Sequence, residues 1–505
     1  MTRRSLGVAL AASLLCSSCM IGPKYQRPVA QTPPALKELA GNDQWQMATP
    51  SDDLLKGNWW EMFGDAELNR LEEMVSVNNQ NIKQAEAQYR QARAIVNLNH
   101  ANYYPVIGST PSISQTDAGT NAVRGGGNSQ TFSLGAAASW EPDFWGRVRT
   151  AVEGSTASAQ ASAALVENVR LAQQTLLATD YFAIAANEMQ QDVLKQSIEA
   201  YEKNVQLASD RFKFGVASRS DIALAQAQLA GAQAQRTDLS VAHAQLEHAI
   251  ATITGQPASA LTITANRIAG PPPPIPVALP SRLLERRPDI ASAERQVAAA
   301  NANIGLAQAA FYPTLTLSAS VGFLTTDLAN LFTFASRSWS AGPSITQTLF
   351  DFGRRGATMQ NVEAAYDATA ASYRQTVLAA FQEVEDDLSS LHYLAQEAVV
   401  QDQAVKASQE SLSLELDRYK AGTDSYVNVI TTQNIALGNQ LTAIGILQRR
   451  VVAAVDLVKA VGGGWDSSTL PSTDALRAVN ANTPKPPAYP VGTPSNPLKP
   501  VRDAK

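Results

Sequence analysis

The chain has 505 residues, a formal net charge of -5 and a pI of about 5.6. That length allows a large core or an elongated body, and no basic run follows the track of a phosphate backbone, so nucleic acid is not an expected partner. Both cysteines, Cys16 and Cys19, lie near the amino terminus, which leaves no pair for a disulfide framework farther along.

Residues 1–18 read as a secretory signal: Arg3 and Arg4 precede an apolar stretch, Leu6 to Leu15, too short to span a bilayer. Cys19 follows Ser17 and Ser18, which suits small-residue cleavage better than Cys16 after two leucines. A lipidated first residue at Cys19 is therefore expected, with an ordinary signal peptide and incidental thiols as the alternative. Met20 stands where an aspartate would retain a lipoprotein in the inner membrane, so outer-membrane delivery is expected. Residues 19–60 are rich in turn formers and predict a wrapping segment. No later segment has the roughly 18 apolar residues of a membrane helix, so a membrane crossing would require a closed β-barrel.

From residue 61 onward the chain is written twice. Ala85 to Pro105 matches Ala293 to Pro313 at 9 of 21 positions, and Leu207 to Ser218 matches Leu414 to Ser425 at 6 of 12. The offsets, 208 and 207, are nearly equal. The first copy (61–270) predicts a helix, strands at 106–117 and 130–141, a long helix at 147–212, a tip at 213–220 and a returning helix. A proline-rich connector, 271–280, leads to the second copy (281–466): a helix, strands at 314–323 and 338–350, a long helix at 354–419, a tip at 420–427 and another helix. Residues 467–505 form a proline-rich tail.

The strands rest on alternation. Phe132, Leu134, Ala136, Ala138 and Trp140 oppose Thr131, Ser133, Gly135, Ala137 and Ser139; Leu315, Leu317, Ala319, Val321 and Phe323 oppose Thr314, Thr316, Ser318, Ser320 and Gly322. The polar faces carry no charge. Aromatics gather at the strand ends: Tyr103, Tyr104, Trp140, Phe144, Trp145, Phe311, Tyr312, Phe350 and Phe352 at one, Phe132, Phe323 and Trp339 at the other. Such girdles mark outer-membrane barrels. Four strands cannot close a barrel, for which about eight is the minimum, so several copies must contribute, and three would leave a lumen.

The proline-free stretch from Arg147 to Phe212 predicts a helix of about 100 Å. Leu165, Val169, Ala172, Leu176, Thr179, Ala183 and Ala186 step by four and three, and Leu177, Tyr181 and Ile184 mark a second seam. A helix with two seams suits a stave in a cylinder; a soluble bundle fits the helices alone, but not the strands. Gly215 and Gly422 break the long helices, predicting tight turns at the end farthest from the sheet, where any closure of a duct belongs.

These features resemble the TolC and NodT class of outer-membrane efflux factors, closest in pattern to OprM-like lipoproteins. The resemblance rests on CMIGPKYQRP from Cys19, LPSRLLERRPDIASAERQVAAANANIGLAQAAFYP from Leu279, FQEVEDDL from Phe381, the two glycine turns and VGGGW from Val461. It implies an α+β membrane protein: a homotrimer with a shared 12-stranded barrel and a helical periplasmic tunnel. It implies as partners a periplasmic adaptor, an inner-membrane pump of the resistance-nodulation-division type and outer-membrane lipid. It also implies a gate at the tips, which places Asp221, Tyr419 and Asp424 in it, with Ser220 and Ser425 beside them. Helix capping by Asp221 and plain packing by Tyr419 are the structural alternatives. Thr431 stands where OprM-like channels can carry a ring-forming aspartate.

No catalytic or metal-binding constellation is expected, and no cofactor beyond the lipid on Cys19. His100, His243, His248 and His392 include no pair at helical metal spacing. The acidic run Glu383, Glu385, Asp386 and Asp387 predicts a surface role with arginine partners. Gly125 to Gly127 lacks the lysine of a phosphate loop. An efflux duct for small toxic compounds is therefore the expected function, with a type I protein-secretion duct as the nearest alternative.

Overall fold

In the computed structural model the described residues are 20–33, 35–38, 57–118, 127–275 and 286–477. The signal peptide, Cys19, Gly125, Gly126, the second half of the connector and residues 478–505 lie outside them. The first copy contains α1 (Ala66–Asn78), α2 (Gln80–Ala101), β1 (Val106–Ser109), β2 (Ser112–Ala118), β3 (Gly127–Trp140), α3 (Arg147–Lys213) and α4 (Arg219–Ile253). The second contains α5 (Pro288–Ala309), β4 (Thr314–Thr325), β5 (Arg337–Thr346), α6 (Arg354–Ala421) and α7 (Tyr426–Ala460), followed by the short α8 (Thr473–Arg477).

The strands form one antiparallel sheet in which β3 pairs with both β1 and β2, then β4 and β5 follow. Physically β1 and β2 are one strand. They share a single register on β3, with Val106 opposite Ser139 and Ser112 opposite Ser133, and Thr110 bridges the gap by donating to the Gly135 carbonyl at 2.9 Å. The interruption falls at Pro111, which has no amide proton. At the other edge β5 ends at Thr346 instead of running on to 350. Thr346 faces Thr314, so the next partner would be Pro313, which again cannot donate.

Registration puts most of the hydroxyl-bearing residues on one face; Ser109, opposite Ala136, and Thr325, opposite Phe132, fall on the other. Ser139 opposes Ser318, and the Ser112–Ser133 and Ser320–Ser340 pairs bring their Oγ atoms to 2.7 and 2.9 Å. The other face pairs Leu134 with Phe323, Trp140 with Leu317 and Val321 with Trp339. Aromatic side chains are exposed at both ends of it.

Each long helix starts at the sheet through the same device. Gly146 and Gly353 adopt left-handed conformations, and an aspartate upstream caps the helix. Asp143 accepts from the Val148 and Arg149 amides at 3.0 Å each, and Asp351 from the Gly353 and Arg355 amides at 3.2 Å each. Each carboxylate also pairs with an arginine in the first turn, Arg149 or Arg355. At 67 and 68 residues, α3 and α6 are each about 100 Å long. Among the described residues no helix is long and apolar enough to cross a membrane.

The main core lies between sheet and tips, where Trp59, Leu68, Leu71, Leu177, Tyr181, Tyr373 and Leu388 pack together. The amino-terminal segment straps this body. Ile21 donates to the Trp145 carbonyl at 3.2 Å, Tyr25 bonds to Glu294, Arg27 donates to the Tyr373 hydroxyl at 3.1 Å, and the Lys37 and Glu38 amides reach Glu385 at 2.7 and 3.0 Å.

The acidic run is only partly as predicted. Glu383 has an arginine partner, the buried Arg287, at 2.8 Å; Glu385 instead receives the strap amides, and Gln382 donates to Asp386 at 3.3 Å. Asp387 is half-buried between α6 and α7, and burial together with the nearby carboxylate of Asp456 pushes its carboxyl up to about 7. Apart from Gln382, these partners come from elements distant in sequence, which spacing on one helix does not reveal.

Arg287 also binds Asp289 and the carbonyl of Ala460 at the end of α7, so Arg287→Ala should cost about 3 kcal/mol, seen as a lower melting temperature. Asp387 is raised above its unfolded value, so the stability it confers is full below that value and is lost as pH rises through about 7. Asp387→Asn should therefore raise the melting temperature by a few degrees at about pH 8 and by clearly less at about pH 5.

Candidate functional site at the helix tips

At the first tip Gly215 adopts φ 76°, and the Val216 amide donates to the Arg211 carbonyl at 2.9 Å, closing α3. Ser218 then starts α4 through a reciprocal cap. Its Oγ accepts from the Asp221 amide at 3.2 Å, while Asp221 Oδ2 accepts from the Ser218 amide at 3.0 Å. The turn is therefore shorter than 213–220. Ser220 is already inside the helix and exposed, and the capping role belongs to Ser218.

At the second tip Gly422 has φ 78° and donates to the Tyr419 carbonyl at 3.0 Å; the Thr423 amide donates to that of Arg418 at 3.0 Å. Ser425 caps α7 by accepting from the Val427 amide at 3.1 Å. Asp424 accepts from the Ser425 amide and from Asn428 Nδ2, both at 2.7 Å. A hydrogen bond from Glu415, aided by those donors, holds the Asp424 carboxyl below its ordinary range, and the same bond raises Glu415. Arg418 lies 3.5 Å from each of the two carboxylates. Thr431 turns its hydroxyl back onto the Val427 carbonyl at 2.9 Å.

The tips are tied together by Arg211. From the last turn of α3, its guanidinium donates to the Tyr419 and Lys420 carbonyls at 3.0 and 3.1 Å and lies 4.8 Å from the centroid of the Tyr419 ring. One cation thus caps the C-terminus of α6 and stacks on its last aromatic. Tyr419 is 3% exposed and packs with Tyr426, Ala208, Ala225 and Val429 in a small apolar cluster. Its hydroxyl has no partner, and burial raises it. Asp221 lies near enough for its charge to act on both tyrosines. Above the cluster, Gln228 of α4 donates to Asn434 of α7 at 2.6 Å.

Asp221, Tyr419, Asp424 and Ser425 therefore gather at one end of the molecule, with Asp221 in a helix cap and Tyr419 in a core. Arg211 is the residue that spacing alone does not single out. Its signal lies in the repeated DRFKFG and DRYKAG, where the shared arginine, Arg418 in the second copy, pairs instead with acids of its own tip. Elsewhere, among the described residues, no cluster of metal-ligating side chains occurs. His243 lies beside Glu188 and Glu247, His100 beside Arg477, and His392 beside Gln396.

Comparison with known proteins agrees with this architecture. A family described as outer membrane efflux protein matches residues 72–256 and 279–463, two stretches that begin 207 residues apart (279 less 72). The pyoverdine export outer membrane protein OpmQ of Pseudomonas aeruginosa is 31% identical over 465 residues, 90% of this chain and 97% of that protein. The toluene efflux pump outer membrane protein TtgC of Pseudomonas putida is 29% identical over 493 residues, 96% and 100% of the two. The solved outer-membrane channel OprN aligns with a TM-score of 0.83 at 27% identity, covering 88% of this chain and 100% of that one.

The contacts at the tips separate two variants. Arg211→Ala removes two hydrogen bonds and a ring contact, about 2 kcal/mol, and should shift any equilibrium between joined and parted tips about thirtyfold toward parting. Tyr419→Phe removes only an unpartnered hydroxyl and should leave that equilibrium unchanged. Distances between spin labels on the two tips check both.

Proposed function

Because the chain belongs to the outer membrane efflux protein family, we propose that three copies pool their sheets into one twelve-stranded barrel and their long helices into a periplasmic tunnel. The protein is an outer-membrane efflux channel. The observation that carries the trimer is the sheet itself. It has four physical strands and two unpaired edges, too few to close and unable to cross hydrocarbon open. Two copies reach only the filled cylinder of about eight strands, whereas three leave a lumen.

The hydroxyl-lined face becomes the wall of the pore and the apolar face meets lipid. The helix tips become the periplasmic gate, six per trimer, with Arg211, Tyr419, Asp221 and Asp424 holding it shut. A periplasmic adaptor and an inner-membrane pump of the resistance-nodulation-division type supply selection and energy, so the chain works as a conduit and needs no catalysis. The relatives named for toluene and pyoverdine support a small-molecule cargo. Cys19 carries the lipid, a reading supported by the packing of the next residue, Met20, against Gly146 where α3 leaves the sheet.

Deleting the gene should sensitise cells to lipophilic antibiotics and dyes, to the same extent as deleting the partner pump and with no added effect in the double deletion. Unchanged drug tolerance together with loss of a secreted protein would turn the reading to type I secretion. Arg211→Ala should admit large polar antibiotics such as vancomycin, and unchanged permeability in a channel with parted tips would remove the gate from this site.

A further inference from the structure

The end of the sheet remote from the helices carries an unusual cation. Arg337 opens β5 directly opposite Phe323, so it stands on the apolar, lipid-facing face, two residues before Trp339 on the same face. Its guanidinium lies 4.7 Å from the centroid of the Phe334 ring. Among the described residues it has no carboxylate partner, whereas at the helix end of the sheet Arg147, Arg149 and Arg355 pair with Glu141, Asp143 and Asp351.

The loop before Arg337 leans toward the same face. The ring of Phe332 packs edge-on against Phe323 at 5.5 Å. The loop is knit from within: Asp327 accepts from the Ala329 amide and from Asn330 Nδ2 at 3.0 Å, and Ser336 Oγ donates to the Asn330 carbonyl at 2.7 Å. Yet Phe332, Phe334 and Trp339 are 72%, 80% and 80% exposed. Three large aromatics held outward around one unpaired arginine are costly in water, and they match the boundary between acyl chains and charged headgroups.

We propose that Arg337, with Phe332, Phe334 and Trp339, forms a binding site for the phosphorylated glucosamine headgroup of a saccharolipid, lipid A, in the outer leaflet. The planar guanidinium grips a phosphate through two parallel hydrogen bonds, and the aromatic rings lie along the first carbons of the acyl chains. The arginine stem reaches along the apolar wall to bring its charge to the headgroup level. Charge complementarity and continuity with the lipid-facing wall select this occupant over a second copy of the chain. The proposal rests on the barrel reading given above, and not on the gate.

Native mass spectrometry of the detergent-purified protein tests it, because retained lipid is counted whatever the oligomeric state. Failure here is thus distinct from failure of the trimer. Diphosphorylated lipid A should be retained, while its dephosphorylated form, phosphatidylglycerol and inorganic phosphate should not. Arg337→Ala should weaken retention about tenfold, or ~1.4 kcal/mol, and Arg337→Lys should lose less. Equal retention of phosphatidylglycerol, or undiminished lipid A on Arg337→Ala, would overturn the site. So would a lower melting temperature of Arg337→Ala in detergent without lipid, which would make Arg337 a contact between copies.

Discussion

A strand in hydrocarbon must satisfy its amides within a sheet, because lipid offers no hydrogen bonds in exchange. In this chain the sheet has two bare edges, the β1–β2 strand and β5, and the rest of the architecture follows from closing them. Each edge contains a proline, Pro111 or Pro343. Since Thr110 bonds inward to Gly135, the neighbouring Pro111 has its missing donor on the outward side. An edge with a gap in its donors is a poor template for indiscriminate pairing, which protects a copy that has not yet found its partners.

Each strand that leaves the sheet feeds a helix about 100 Å long through a left-handed glycine and a capping aspartate, Gly146 with Asp143 and Gly353 with Asp351. Twofold repetition of this junction makes two helix pairs per chain, α3 with α4 and α6 with α7, of which α3 and α6 are the long staves. It also places both turns at the same remote end, where a single cation, Arg211, bridges the two halves of the duplication. The conduit and its remote tips thus descend from one duplicated unit.

Much of this was legible in the sequence, because alternation and helical periodicity report which face is buried before any contact is known. The serine faces and aromatic ends of β3, β4 and β5 are in register as the alternation implied. Facts set by register or by distant partners were not legible. β5 stops at Thr346 because of Pro313 on the facing strand, and Asp387 is perturbed by Asp456 on another helix. Arg211 belongs to the same group: it lies in a repeated motif, but its partners are the backbone carbonyls of Tyr419 and Lys420. No side-chain pattern announces such a contact. Tyr419 shows the converse. The resemblance places it in the gate, while the structure buries its ring in the small tip core and leaves its hydroxyl without a partner.

The most direct test of the shared barrel is a covalent one. With single cysteines placed on β5 and on the β1–β2 strand of an otherwise cysteine-free mature chain, oxidation in the outer membrane should link each copy to its neighbours and give a ladder that ends at three chains. A ladder that stops at two, or a chain that closes only on itself, would contradict the account.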